Sequence, residues 1–204
     1  MLTKETRRLF RGTYQYKAVL VCPAAGRFRG KNLSDTIEKI TETGIGVSKN
    51  PYNKVKTQED FNYCIRLAVA ILKMSDFDIR VEGPFLSFYT NRRQDIDTLT
   101  KIDLERVKYV SVPNGAIENN TIIMPKIDFD FKVTLGKSNK KQDSFVEWAS
   151  ANDKVKLTKG CKEQLLRPVS WGGSYFYVKG EKQLLMAKMM LGGSINKVET
   201  IVKK

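Results

Sequence analysis

Three stretches of this chain occur twice, in the same order, and that duplication limits the possible folds more than any other feature. Tyr14-Gln15-Tyr16-Lys17-Ala18-Val19-Leu20 returns as Phe129-Asp130-Phe131-Lys132-Val133-Thr134-Leu135. Lys54-Val55-Lys56 with Thr57 is echoed by Lys154-Val155-Lys156, then Leu157 and Thr158. Ile79-Arg80-Val81-Glu82-Gly83-Pro84-Phe85-Leu86 matches Val169-Ser170-Trp171-Gly172-Gly173-Ser174-Tyr175-Phe176. Three matches in register describe two copies of one unit. The first copy spans residues 1–112, a linker rich in Asn and Pro spans 113–126, and the second copy spans 127–204.

Periodicity supplies the elements. Residues Thr13 to Cys22 alternate, which predicts a strand with Tyr14, Tyr16, Ala18 and Leu20 toward the core. Leu33, Ile37 and Ile40 share a helical face that stops at Gly44. Thr57 and Asp60 open a second helix carried by Phe61, Cys64, Ile65, Ala68 and Leu72. A hairpin about Gly83 follows, then a short helix through Ile96, Leu99 and Ile102, and a strand over Val107 to Val112. The second copy repeats the order. It has a strand over Phe129 to Leu135, a helix over Phe145 to Ala151 and a short helix after Thr158. A hairpin centred on Gly172-Gly173, a helix over Glu181 to Leu191 and a strand over Ile195 to Val202 complete it, and Thr121 to Met124 can pair as a further strand. Stripped of the additional helix, each copy reads βαββαβ. The expected class is therefore α+β: two tandem ferredoxin-like repeats, each an antiparallel sheet with helices on one face.

Strand alternation then assigns the faces. The apolar sets on the first strands turn Lys17 and Lys132 toward the open side. Leu86 with Phe88, and Phe176 with Val178, turn Phe85, Tyr89, Tyr175 and Tyr177 the same way. This placement resembles the RNA-recognition-motif version of the fold, whose third strand reads basic-Gly-aromatic-small-aromatic-apolar. Gly173-Ser174-Tyr175-Phe176-Tyr177-Val178 approximates it, with one residue inserted after the glycine and Phe176 in the small position. Gly83-Pro84-Phe85-Leu86-Ser87-Phe88-Tyr89 departs further, with Ser87 in place of the second aromatic. The resemblance implies that Phe85, Tyr89, Tyr175 and Tyr177 stack on bases. The same aromatics would equally serve an interface between the two copies.

Charge bears on that choice. Lys and Arg number 36 against 22 Asp and Glu, a net charge of +14 shared by both halves. The excess gathers in expected loops: Arg7, Arg8 and Arg11; Arg27, Arg29 and Lys31; Arg92 and Arg93; Lys137, Lys140 and Lys141. Equivalent loops of like charge would make a basic track for phosphates. The chain contains no histidine, which removes Ser-His-Asp and Cys-His pairs and every imidazole metal site. A ribonuclease like the tandem ferredoxin-like enzymes of guide-RNA processing would lack its usual histidine. Asp128 and Asp130 could hold a metal ion, but no second carboxylate cluster completes a site. Three odd, widely spaced cysteines fit a reducing compartment. The longest apolar run, Leu67 to Leu72, is far short of the roughly 20 residues of a membrane span, and no signal-peptide stretch opens the chain.

The expectation is a non-catalytic binder of single-stranded DNA or RNA, without cofactor or metal. It would be a cytoplasmic bacterial or phage factor that regulates transcription or translation or protects a strand. The competing expectation is a structural or adaptor subunit of a viral or nucleoprotein assembly, using its aromatic faces for protein partners.

Overall fold

A computed structural model describes residues 2–30, 33–46, 55–115 and 117–203. Lys31, and Lys54 of the second repeat match, lie outside the described residues. The chain forms two compact units, Met1–Ile117 and Glu118–Lys204, and the division falls within the stretch expected to be a linker.

The first unit runs β1 (Thr3–Thr6), β2 (Tyr16–Val21), a short 3-10 turn at Ala25–Phe28, α1 (Ser34–Thr43), α2 (Gln58–Leu72), β3 (Phe77–Glu82), β4 (Phe85–Thr90), α3 (Arg93–Ile102) and β5 (Val107–Pro113). The second runs β6 (Thr121–Ile123), β7 (Phe131–Leu135), α4 (Asp143–Ser150), β8 (Val155–Leu157), α5 (Lys159–Leu165), β9 (Tyr175–Val178), α6 (Glu181–Leu191) and β10 (Ile195–Val202). Each unit holds a five-stranded sheet, ordered β1-β5-β2-β4-β3 and β6-β10-β7-β9-β8. Matched strand for strand, the two orders are the same. The fold is α+β with two mixed sheets, broadly compatible with a ferredoxin-like repeat.

The expected purely antiparallel sheets are corrected at one edge of each unit. β1 pairs parallel to β5, and β6 parallel to β10. An edge strand left bare exposes a row of unpaired N–H and C=O groups, and the first strand of each unit occupies that row. Thr3-Lys4-Glu5-Thr6 is polar throughout, so apolar alternation could not announce it.

The hairpin expected at Gly172-Gly173 is also corrected. The strand that pairs with β9 at the sheet edge is β8, and α5 separates the two along the chain. Val155 and Leu157 face the core across only three residues, too short a run for periodicity to find. The third repeat match shifts accordingly. Lys17 lies opposite Tyr89, and Lys132 opposite Tyr177, so Ser87-Phe88 rather than Phe85-Leu86 corresponds to Tyr175-Phe176.

Both cores lie between a sheet and its helices. Ala18, Leu20, Leu86, Phe88 and Val110 meet Tyr63, Leu67, Ile71, Ile96 and Leu99 in the first unit. Val133, Leu135, Phe176 and Val178 meet Phe145, Ala149, Leu184, Ala187 and Leu191 in the second. Each large apolar side chain buried this way contributes about 1.5–3 kcal/mol. All three cysteines are free and buried; Cys22 and Cys64 touch at 3.8 Å, and burial pushes the Cys22 thiol up.

The start of α2 is tied to the start of β5. Thr57 and Asp60 form the expected capping box. Arg106 donates to Asp60 at 2.8 Å and to Asp103 at 3.0 Å, with its guanidinium 4.7 Å from the Tyr63 ring centroid. Burial works against ionisation of Asp60, but the Lys56 amide, the Arg106 guanidinium and the Thr57 amide outweigh it and hold the carboxyl below its ordinary range. A depressed folded value stabilises above the unfolded one, and the gain disappears as pH falls through the folded value. Asp60→Asn is therefore expected to lower stability by about 1–2 kcal/mol at neutral pH, with the deficit vanishing in strong acid. Urea midpoints at neutral and acid pH check this; an equal deficit at both would refute the assignment.

Candidate nucleic-acid interface

The sheet faces turned away from the helices carry Lys17, Phe85 and Tyr89 in the first unit and Lys132, Tyr175 and Tyr177 in the second. Here the two units solve one packing problem alike. The aromatic residue three positions before the lysine leaves the strand and lies over the tyrosine. Tyr14 meets Tyr89 at 6.4 Å with an interplanar angle of 31°, and Phe129 meets Tyr177 at 5.9 Å and 29°. Phe10, bridged to Tyr14 across a tight turn, adds a second ring 5.9 Å from Tyr89. Tyr14 and Phe129 are therefore not core residues of the helix-covered face. β2 and β7 begin two residues later, and the chain crosses to the other side of the sheet just before them.

The consequence for stacking is direct. Tyr89 is only 5 % exposed and Tyr177 only 7 %. Tyr177 belongs to a small apolar cluster with Ile122 and Ile201, flanked by Phe129 and Tyr175. A base could reach either tyrosine only by displacing its cover. Phe85 and Tyr175 are half-buried and already carry cations: Lys108 Nζ sits 3.8 Å from the Phe85 centroid, and Lys132 Nζ 4.3 Å from that of Tyr175. Lys17 donates to the Tyr109 hydroxyl at 3.0 Å.

The basic loops divide by how far their charge is already neutralised. Arg11 pairs with Asp78, Arg93 with Asp97 at 3.1 Å and Arg92 with Asp95 at 3.8 Å. Among the described residues, the half-buried Arg27 has no hydrogen-bond partner at its Nε, and the exposed Arg29 is unpaired. In the second unit Lys137, Lys140 and Lys141 are all exposed, with no acidic partner among the described residues.

Those lysines stand on a loop whose backbone is held. Residues 136–142 follow β7, and Ser138 exchanges two backbone hydrogen bonds with Ser170, at 3.1 and 2.8 Å. The Gly173 amide donates to the Leu135 carbonyl at 2.8 Å, and the Leu135 amide to that of Ser174 at 2.8 Å. Gly172, at φ +83°, lies so close to Gly136 that a Cβ would stand 2.6 Å from its carbonyl carbon. Between Ser170 and Gly172 projects Trp171, 81 % exposed, with Lys137 Nζ 4.9 Å from its centroid. Arg167 is exposed nearby on the same segment, with no acidic partner among the described residues. Trp171 and Arg167 escape sequence reasoning, because their segment has the turn glycines of a hairpin. The available signal is a tryptophan set directly before two glycines.

Among the described residues, no group of His, Cys, Asp and Glu could hold a metal ion, and no helix is long and apolar enough to cross a membrane. Comparison with protein families, curated proteins and solved structures returns no match.

Proposed function

We propose that this chain is a tandem ferredoxin-like protein that binds nucleic acid without catalysis, single strands in preference, as a regulator or protector of a strand. The strand orders β5-β2-β4-β3 and β10-β7-β9-β8, each connected βαββαβ apart from the added edge strand and helix, support the repeat assignment. One observation carries the binding reading: Lys137, Lys140, Lys141 and Arg167 stand without carboxylate partners among the described residues, on two stapled loops that also carry an exposed tryptophan. Such cations are free to replace the counterions of a phosphate backbone, the chief source of affinity in complexes of this kind. Free, buried cysteines suit a reducing compartment, and the cytoplasm is the proposed setting.

Fluorescence anisotropy with single-stranded DNA, single-stranded RNA and duplex DNA over a salt series tests the reading. Lys137→Glu, Lys140→Glu and Lys141→Glu together are expected to weaken binding by about tenfold or more. The log–log salt slope should flatten by roughly 0.7 for each single-strand phosphate that is no longer neutralised. Absence of binding at low salt, or an unaltered triple variant, would refute it. A protein partner that stays bound to the triple variant would favour the adaptor alternative, whose interface lies on the aromatic sheet faces.

A further inference from the structure

We propose that Trp171 is the residue on which a nucleobase of a single strand stacks, with the strand's phosphates passing over Lys137, Lys140 and Lys141. This inference rests on the nucleic-acid reading and moves the stacking contact from the sheet face to a loop at the end of β7 and β9.

Three observations converge. Tryptophan is highly buried on average, yet Trp171 is 81 % exposed while its backbone is pinned by the Ser138–Ser170 bridge and the Gly136–Gly172 approach. A large aromatic on a pinned backbone gives up little main-chain freedom on meeting a partner. Second, of the sheet aromatics that would otherwise compete, Tyr89 and Tyr177 are covered, and Phe85 and Tyr175 are half-buried under lysines.

Third, the surroundings give the contact a direction. Beside Trp171 lies a cleft of about 300 Å³, lined by Glu163, Gln164, Arg167, Val169 and Ser170 among others. The Gln164 amide nitrogen is committed to the Ser170 hydroxyl at 2.8 Å, which leaves its carbonyl oxygen as an acceptor. Glu163 and Arg167 oppose each other's charge on the wall of this cleft, and the Glu163 carboxylate can accept from a base amino or imino group. The lysines stand on the opposing loop. The base edge therefore faces the cleft and the backbone faces the lysines. A duplex, with its bases stacked and paired, offers no free ring face to Trp171, so the contact selects single strands without strong sequence preference.

Tryptophan emission and anisotropy, recorded together during titration with oligothymidylate and with duplex DNA of equal length, test the inference. The native chain should show saturable quenching by the single strand that follows the anisotropy isotherm. Trp171→Phe should abolish that quenching, leaving the emission of Trp148, the second of the chain's two tryptophans, while keeping most of the affinity. Trp171→Ala should bind oligothymidylate about tenfold more weakly with an unchanged salt slope and an unchanged thermal melt. Binding by anisotropy without quenching, equal quenching by duplex, or native affinity in Trp171→Ala would overturn the stacking contact while leaving the charge-based reading intact. No binding by the native chain at low salt would overturn both.

Discussion

Replacing Gly172 with alanine is expected to destabilise the second unit by about 2–4 kcal/mol, an unusually large effect for adding one methyl group on a loop. Two penalties act together. The backbone at φ +83° lies where an L side chain is disfavoured, at about 1–2 kcal/mol. The added Cβ would also stand 2.6 Å from the carbonyl carbon and 2.8 Å from the carbonyl oxygen of Gly136, backbone atoms that no rotamer change can move. Relief requires the two loops to part, which breaks the Ser138–Ser170 bridge. Gly173 supplies the control. Its φ is +89°, but nothing lies within 4 Å of its Cβ position, so Gly173→Ala should show the conformational penalty alone. Chemical denaturation of both variants, with amide exchange at Ser138 and Ser170, measures the difference. Equal destabilisation would mean that the loops are not held by close approach. The variant also bears on the proposed binding, because the lysines and Trp171 keep their spacing only while the staple holds.

Legibility from sequence follows the strength of local signals. Helix α2 announces itself through Thr57 and Asp60, α1 ends at the anticipated Gly44, and α6 and β10 occupy the expected residues, because caps and long apolar periods are written in adjacent positions. Strand β8 escapes detection since three residues give no period to measure, and β1 since its side chains are polar and its partner is distant in sequence. The aromatic-x-aromatic-Lys motif locates the first antiparallel strand of each unit, yet alternation assigns Tyr14 and Phe129 to the wrong face. Alternation holds only while the chain stays in the sheet, and both residues precede the point where it enters. The candidate site is half legible. Lys137, Lys140 and Lys141 are visible as charge, whereas their freedom from carboxylates and the exposure of Trp171 depend on how segments far apart along the chain meet.

Tyr89 and Tyr177 provide the sharpest test of whether the open sheet faces bind or are merely closed. Tyr177→Ala is expected to cost about 3–5 kcal/mol of stability, the range for removing a buried aromatic ring, because it empties a space bounded by Phe129, Ile122, Ile201 and Tyr175. Tyr89→Ala should behave alike, since Phe10 and Tyr14 close over it. Tyr177→Phe keeps the ring and is expected to stay within about 1 kcal/mol of the native chain, and to leave the proposed nucleic-acid binding unaltered. A sheet that served as a stacking surface would give the reverse: an alanine variant that folds normally and fails to bind. Urea unfolding followed by anisotropy on the folded variants separates the two. The recurrence of the covered pair argues for closure. The cover is Tyr14 in one unit and Phe129 in the other, yet centroid distance and ring angle nearly coincide, as expected if each sheet must shield its central aromatic from water. An aromatic on such a face becomes available to a base only where the segment entering the strand fails to cross it. In both units of this chain that segment crosses, whereas Trp171 of the second unit stands 81 % exposed.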